Sequence, residues 1–116
     1  MGIKLSPDPM PEQSIFVRSD HYNFVKQGVP AVFLATSYAN GGEKAWGEFL
    51  NGNYHHPGDD LSQKIDWVAG ARFAEANYRI TRAMADADVA PRWYEGDYFG
   101  DVFAKDRPKA VTPCGP

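Results

Sequence analysis

The segment that most constrains the fold of this 116-residue chain is residues 66–86, which has the periodicity of one long amphipathic helix. Its main apolar face consists of residues spaced three and four apart: Ile65, Ala69, Phe73, Ala76, Ile80 and Met84. A second, weaker apolar stripe consists of Trp67, Ala71, Ala74 and Tyr78. We therefore predict a long helix that ends before Pro91.

A short helix followed by a strand is predicted nearer the N-terminus. Ser19 has the chemistry of an N-cap, and Gly28 with Pro30 would stop a helix that runs to about residue 27. Residues 31–36 (AVFLAT) form a continuous apolar run, which is typical of a strand buried on both faces. The pattern predicts an α/β fold with at least one buried strand and two helices, one short and one long.

Composition excludes several classes of protein. The hydrophobic fraction of 43% and the aromatic fraction of 14% favour a globular domain over a disordered chain. The net charge of −3 argues against non-specific nucleic-acid binding, and no apolar run is long enough for a membrane span. Cys114 is the single cysteine, which excludes an internal disulfide or a zinc site built from several thiolates.

The long connection over residues 37–63 contains the segment with the strongest chemical signal. One helical turn or more is expected over residues 44–50, before the motif Tyr54-His55-His56-Pro57-Gly58-Asp59-Asp60. Two histidines and two carboxylates in a Gly/Pro-rich loop are an arrangement that zinc chemistry uses, although adjacent histidines in a polar loop are also often simply exposed. Because neighbouring side chains point apart, at most one of the two histidines is expected to bind a metal.

A second candidate segment is Arg18-Ser19-Asp20-His21. Arg18 has a planar donor fork that suits a carboxylate or carbonyl group, and Asp20 with His21 would make a hydrogen-bonded pair. A simple helix N-cap with charged residues in its first turn explains the same residues equally well. We find no Gly-x-Ser-x-Gly motif for a serine nucleophile and no Gly-rich phosphate loop.

Taken together, the motifs over residues 7–100 resemble the C-terminal half of the co-catalytic zinc aminopeptidase family, whose relatives include glutaminyl cyclases. The matching stretches are PDPMPEQSIFVRSDHYNFVKQGVPAVFLATS and NYHHPGDDLSQKIDW, followed by the long helix. The resemblance implies the C-terminal portion of a three-layer α/β/α fold, as a single partial domain over residues 1–116 with a tail over residues 101–116. It also implies a peptide substrate and a secreted or periplasmic location.

The resemblance assigns roles to the residues of the histidine loop. The family's last zinc ligand falls on His55, and Tyr54 matches a residue that helps to polarise the scissile carbonyl in some members. Asp59 matches a carboxylate that fixes the loop or supports a ligand. His56 lies at a variable position and inherits no role.

The resemblance also assigns roles to the earlier segment. Arg18 falls where some members place an arginine that contacts substrate. Asp20 and His21 match the Ser-Asp-His motif, where they are expected to support the structure or a metal ligand.

The family binds two zinc ions through a His, a bridging Asp, a Glu, a second Asp and the final His, and it uses another Glu as general base. Apart from the final His, those groups lie in segments of the family that this chain does not match. We therefore expect a C-terminal fragment that is inactive alone, binds zinc at most weakly, and either forms a homo-oligomer or pairs with a missing N-terminal half. Self-association is expected because the apolar strand would otherwise expose its edges.

Two other hypotheses remain at this stage. The chain is alternatively a non-catalytic module for binding or oligomerisation that keeps half of the fold. The third hypothesis is a small metal-binding protein that uses His21, His55 and His56 from more than one chain.

Overall fold

The chain is largely helical and irregular in a computed structural model that describes residues 1–36 and 38–111. The α helices of the described residues are Tyr22–Val25 (α1), Gly42–Asn51 (α2), Trp67–Ala85 (α3) and Tyr98–Phe103 (α4). Single turns of 3-10 helix cover Pro11–Gln13, Ile15–Val17 and Ala39–Gly41. None of the helices described is both long and apolar enough to cross a membrane.

The predicted α/β fold is wrong, because the described residues contain no strand. Their single β contact is an isolated parallel bridge between Tyr94 and Ala110. Residues 31–36 have no regular secondary structure, and Val32 and Phe33 are 54% and 40% exposed instead of buried. A strand is stable only when a neighbour completes its hydrogen-bond ladder, and no other described segment pairs with this apolar run.

Two of the predicted helices are present in the structure. The predicted long helix is confirmed as α3, and α2 extends the turn expected over residues 44–50 to a full helix. The predicted short helix is confined to the single turn of α1. The aromatic segment that follows Pro91 contains α4. This helix begins where the Asp97 carboxylate accepts hydrogen bonds from the backbone amides of Phe99 and Gly100 at 2.9 and 3.1 Å.

The described residues divide into two compact units. The first unit comprises Met1–Pro9 and Leu34–Ala83, and therefore contains α2, the histidine loop and most of α3. The second unit comprises Met10–Phe33 and Met84–Pro116, of which the structure describes residues up to 111. Cys114 lies outside the described residues.

The small core belongs to the second unit. Val25 of α1 is fully buried, Trp93 is 8% exposed and Ala104 is 3% exposed. Around them pack the partly buried side chains of Phe16, Tyr22, Ala31, Phe99 and Phe103. These residues come from both segments of the unit, so the core fixes residues 10–33 against residues 84–111.

Gly28 closes α1 and at the same time lies against α4. Its φ of +77° is left-handed, and the amides of Gly28 and Val29 donate to the carbonyls of Val25 and Phe24 at 2.8 and 3.1 Å. The sequence correctly predicts that Gly28 ends this helix. A β-carbon at this position would lie 2.7 Å from the backbone oxygen of Phe103. Both the backbone conformation and the close packing at position 28 therefore require a residue without a side chain.

We predict that Gly28→Ala destabilises the second unit by about 2–4 kcal/mol, because the substitution adds a backbone clash to the cost of the left-handed conformation. Gly96→Ala is the matched control: Gly96 has a φ of +76° and a β-carbon there would meet nothing within 4 Å, so only about 1–2 kcal/mol is expected. Urea unfolding of a Trp46→Phe, Trp67→Phe background, followed by Trp93 fluorescence, measures both. Equal losses in the two variants would contradict the close contact with Phe103.

Candidate functional site

The histidine loop begins directly after α2 and is built from consecutive tight turns. The Tyr54 amide donates to the Phe49 carbonyl at 3.0 Å, and the His56 amide donates to the Asn53 carbonyl at 2.9 Å. Between these turns His55 has a φ of +59°, in the left-handed region that non-glycine residues adopt infrequently. The backbone at His55 is therefore held in an uncommon conformation by the turns on either side.

The His55 side chain is exposed and lies on the ring of Tyr54. The two ring centroids are 3.8 Å apart with an interplanar angle of 23°, and Tyr54 in turn makes an edge contact with Phe49 of α2 at 5.4 Å. Tyr54 is partly buried, whereas His55 and His56 are exposed. The helix thus anchors the tyrosine, and the tyrosine orients one face of the imidazole.

A chain of side-chain hydrogen bonds closes the base of the histidine loop. The Gln63 amide donates to Asp59 Oδ1 at 2.7 Å, and the Asn53 amide donates to Gln63 Oε1 at 2.9 Å. A β-carbon on Gly58 would lie 2.9 Å from Asn53 Oδ1, so the glycine leaves room for this arrangement. Asp59 therefore links the middle of the loop to its end through Gln63.

Asn53 and Gln63 are functional candidates that the sequence reasoning missed. The two amides are ten residues apart, and their pairing depends on the path of the loop between them. In the sequence, the two residues stand out only because they lie on either side of the motif. This position does not predict their pairing, since amide side chains are common in loops for other reasons.

Asp60 forms a separate turn beside Asp59. Its carboxylate accepts hydrogen bonds from the Ser62 hydroxyl and from the Ser62 amide, the latter at 2.8 Å, and together they lower the pKa of Asp60 below its usual value. Hydrogen bonds to a carboxylate stabilise its charged form. Asp60 therefore holds the backbone at the end of the loop without contributing to the Asp59 chain.

The Arg18 segment belongs to the second unit, and its side chains have different surroundings. Arg18 is exposed and donates one hydrogen bond to Gln13 Oε1 at 3.3 Å. His21 lies between two phenylalanine rings, at 4.8 Å from Phe16 and 5.1 Å from Phe33, and its Nε2 is buried without a hydrogen-bond partner. In the described structure no hydrogen bond joins His21 to the exposed Asp20.

The described residues do not assemble a zinc site. Among them, no three His, Cys, Asp or Glu side chains converge in a way that would hold a metal ion. A zinc site needs three or four protein ligands, so His55 alone does not fit the requirement.

We predict that Ser62→Ala raises the pKa of Asp60 towards its usual value, because the substitution removes the hydroxyl donor and keeps the amide donor. Since folding lowers the pKa of Asp60, these hydrogen bonds stabilise the folded chain fully at pH values above the pKa of Asp60 in the unfolded chain. The stabilisation is lost as the pH falls through the pKa of Asp60 in the folded chain. NMR titration of the Asp60 carboxyl carbon measures the change, with Ser62→Thr as the control that keeps a hydroxyl. An unchanged pKa in Ser62→Ala would contradict the role of the hydroxyl.

Comparison with known proteins identifies a family. The sequence profile of Peptidase family M28 matches residues 1–81, which include the Arg18 segment and the whole histidine loop. No curated protein and no solved structure matches the chain. The M28 peptidases are in general zinc-dependent hydrolases, which agrees with the resemblance of the sequence to zinc exopeptidases. Because the match covers well over half of its 116 residues, the chain belongs to Peptidase family M28.

Proposed function

We propose that this chain is the C-terminal part of a zinc-dependent aminopeptidase of family M28, in which it supplies one zinc ligand, His55, and a loop that lines the substrate pocket. The observation that carries the proposal is the exposed imidazole of His55, held on a left-handed backbone and stacked on Tyr54 at 3.8 Å. A metal ligand must be accessible and must have a restricted orientation, and the contacts of His55 supply both properties.

The neighbours of His55 have chemistry that suits the same role. Tyr54 is next to the proposed ligand and is anchored to Phe49, so its hydroxyl is a candidate donor to the carbonyl of a bound peptide. Asp59 accepts a hydrogen bond from Gln63, which supports a role in fixing the loop rather than in binding a metal directly. We assign no ligand role to His56.

The Arg18 segment is proposed to contribute recognition and structure. The exposed guanidinium of Arg18 has donors left over after its bond to Gln13, and a peptide carboxylate or carbonyl would accept them. His21 packs between two phenylalanines, which favours a structural role. Asp20 is exposed in the turn before α1 and is proposed to support that turn.

The isolated chain is proposed to be inactive, since one imidazole does not hold a catalytic zinc ion. The remaining ligands and the general base would come from the part of the peptidase that this chain does not match. The two-zinc centre, the peptide substrate and the secreted or periplasmic location belong to that whole enzyme.

For zinc, we expect weak one-to-one binding to the isolated chain that His55→Ala reduces about tenfold or more, because the substitution removes the proposed ligand. His56→Ala is the matched control, since it removes the adjacent exposed imidazole and is expected to change the affinity less than about twofold. Titration with zinc chloride, followed by NMR of the histidine ring nitrogens, measures affinity and identifies the ring involved. A larger effect of His56→Ala would overturn the assignment of His55.

For activity, we expect the purified chain to release no product from an aminoacyl anilide with or without added zinc. The reason is that the described residues provide a single candidate ligand and no converging carboxylates. Hydrolysis that depends on zinc and is lost in His55→Ala would show that this polypeptide is itself a complete peptidase. That result would reject the proposed inactivity of the isolated chain and would support the proposed role of His55 as a zinc ligand.

A further inference from the structure

A small cavity of about 290 Å³ lies within the second unit, away from the histidine loop. Its walls come from three stretches of the chain, within residues 28–30, 89–93 and 107–108. Seven of the nine residues that line it lie beyond residue 81, where the match to family M28 ends. The family match therefore does not account for this cavity.

Hydrogen bonds join the three walls of the cavity to one another. The Trp93 indole and the Arg107 guanidinium both donate to the Gly28 carbonyl at 3.2 Å. The Ala110 amide donates to the Trp93 carbonyl at 2.8 Å, which ties the end of the third stretch to the second. The shape of the cavity is thus set by the fold, and a preformed site binds a ligand at a lower entropic cost than one that must first be ordered.

The guanidinium group of Arg107 is fixed in position and keeps donors for a ligand. Its Nη1 donates to the Gly28 carbonyl and its Nη2 to the Gln27 carbonyl, both at 3.2 Å. A β-carbon on Gly28 would lie 3.3 Å from the guanidinium carbon, so the group packs closely on the glycine backbone. An arginine side chain has five N–H donors in a rigid planar fork, and the two bonds to backbone carbonyls leave three of them.

The cavity carries positive charge without a compensating carboxylate. Arg92 is a second arginine in its lining, and none of the nine lining residues is acidic. Among the described residues, neither Arg92 nor Arg107 forms an ion pair. Two unpaired guanidinium groups on one cavity attract an anion, although the chain as a whole has a net charge of −3.

The rest of the lining is apolar. Trp93 is 8% exposed, and its indole N–H is already bonded to Gly28. The apolar side chains of the lining are Pro30, Val89, Ala90, Pro91, Trp93 and Pro108. Small-molecule sites combine mainly apolar walls with a few polar groups, and their volumes begin at about 300 Å³. The cavity therefore suits a small ligand that has one anionic group and an apolar body.

We propose that this cavity binds a small organic carboxylate, whose charge is held by Arg107 and Arg92 and whose apolar part lies against Trp93 and the prolines. A carboxylate has the geometry that the planar fork of an arginine recognises, with two oxygens that accept parallel hydrogen bonds. The inference rests on the second unit alone and does not depend on the role of His55 in zinc binding.

The first test is a titration of the full chain with benzoate, followed by NMR of the backbone amides and the tryptophan indoles. We expect the Trp93 indole and the Gly28 amide to shift, with a dissociation constant of about 1 mM. Benzamide keeps the ring and removes the charge, and acetate keeps the charge and removes the ring. Benzamide is expected to bind at least about tenfold more weakly and acetate at least about fivefold more weakly.

The second test uses variants of the cationic residues. Arg92→Ala is expected to weaken benzoate binding at least about fivefold, and the Arg92 side chain makes no contact in the described structure that the fold would lose. Lys105→Ala is the matched control, since it removes an exposed cation of the same unit that does not line the cavity, and is expected to change the affinity less than about twofold. Arg107→Lys keeps the charge without the fork and is expected to lose at least about fivefold. If the signals of Trp93 and Gly28 show that Arg107→Lys alters the cavity before benzoate is added, the comparison of Arg92→Ala with Lys105→Ala decides the question.

Several results would overturn the proposal. Equal affinity for benzamide and benzoate would remove the role of the two arginines, and equal affinity for acetate would remove that of the apolar walls. Equal losses in Arg92→Ala and Lys105→Ala would reduce the binding to the general charge of the unit. Shifts confined to residues outside the cavity would place benzoate elsewhere, and inorganic phosphate that binds more tightly than benzoate would assign the cavity to a different class of anion.

Discussion

The second unit depends on the backbone of a single residue, Gly28. Its carbonyl accepts hydrogen bonds from the Trp93 indole and the Arg107 guanidinium, both at 3.2 Å, and Arg107 also donates to the neighbouring carbonyl of Gln27. Its α-carbon lies so close to Phe103 that a side chain would not fit. These contacts attach the end of α1 to the segment after residue 84, beside the core around Val25. The bond from the Trp93 indole is buried, and a buried donor that loses its partner is costly because water does not replace the lost hydrogen bond.

The first unit is held together in a different way. Its histidine loop relies on exposed hydrogen bonds among Asn53, Asp59 and Gln63 and on the contact between Tyr54 and Phe49. Exposed hydrogen bonds contribute little net stability, since water competes for the same donors and acceptors. The orientation of His55 is therefore set locally by turns and by one stacked ring. A ligand on such a loop gains most of its rigidity only when other groups close around it.

Periodicity and turn chemistry predicted the helices and helix ends that depend on neighbouring residues in the sequence. They failed for the strand, which depends on pairing with a distant segment. Helix α3 follows from the spacing of its apolar residues, and the end of α1 follows from Gly28. Residues 31–36 have the composition of a buried strand, but a strand also needs a pairing segment, which the apolar run itself does not specify. Periodicity does not predict helix α4, because the helix is only six residues long and contains Gly100. In the candidate site the motif predicts which residue types are present. It does not predict the hydrogen bonds among Asn53, Gln63 and Asp59, because these depend on the path of the loop between them.

The candidate ligand does not make a metal centre by itself. A catalytic zinc ion takes at least three protein ligands, and among the described residues no group of three His, Cys, Asp or Glu side chains could hold a metal ion. The ring of Tyr54 orients the imidazole of His55, but the orientation of one side chain does not supply the others. Zinc dependence is general in family M28, and the described residues of this chain do not account for it on their own.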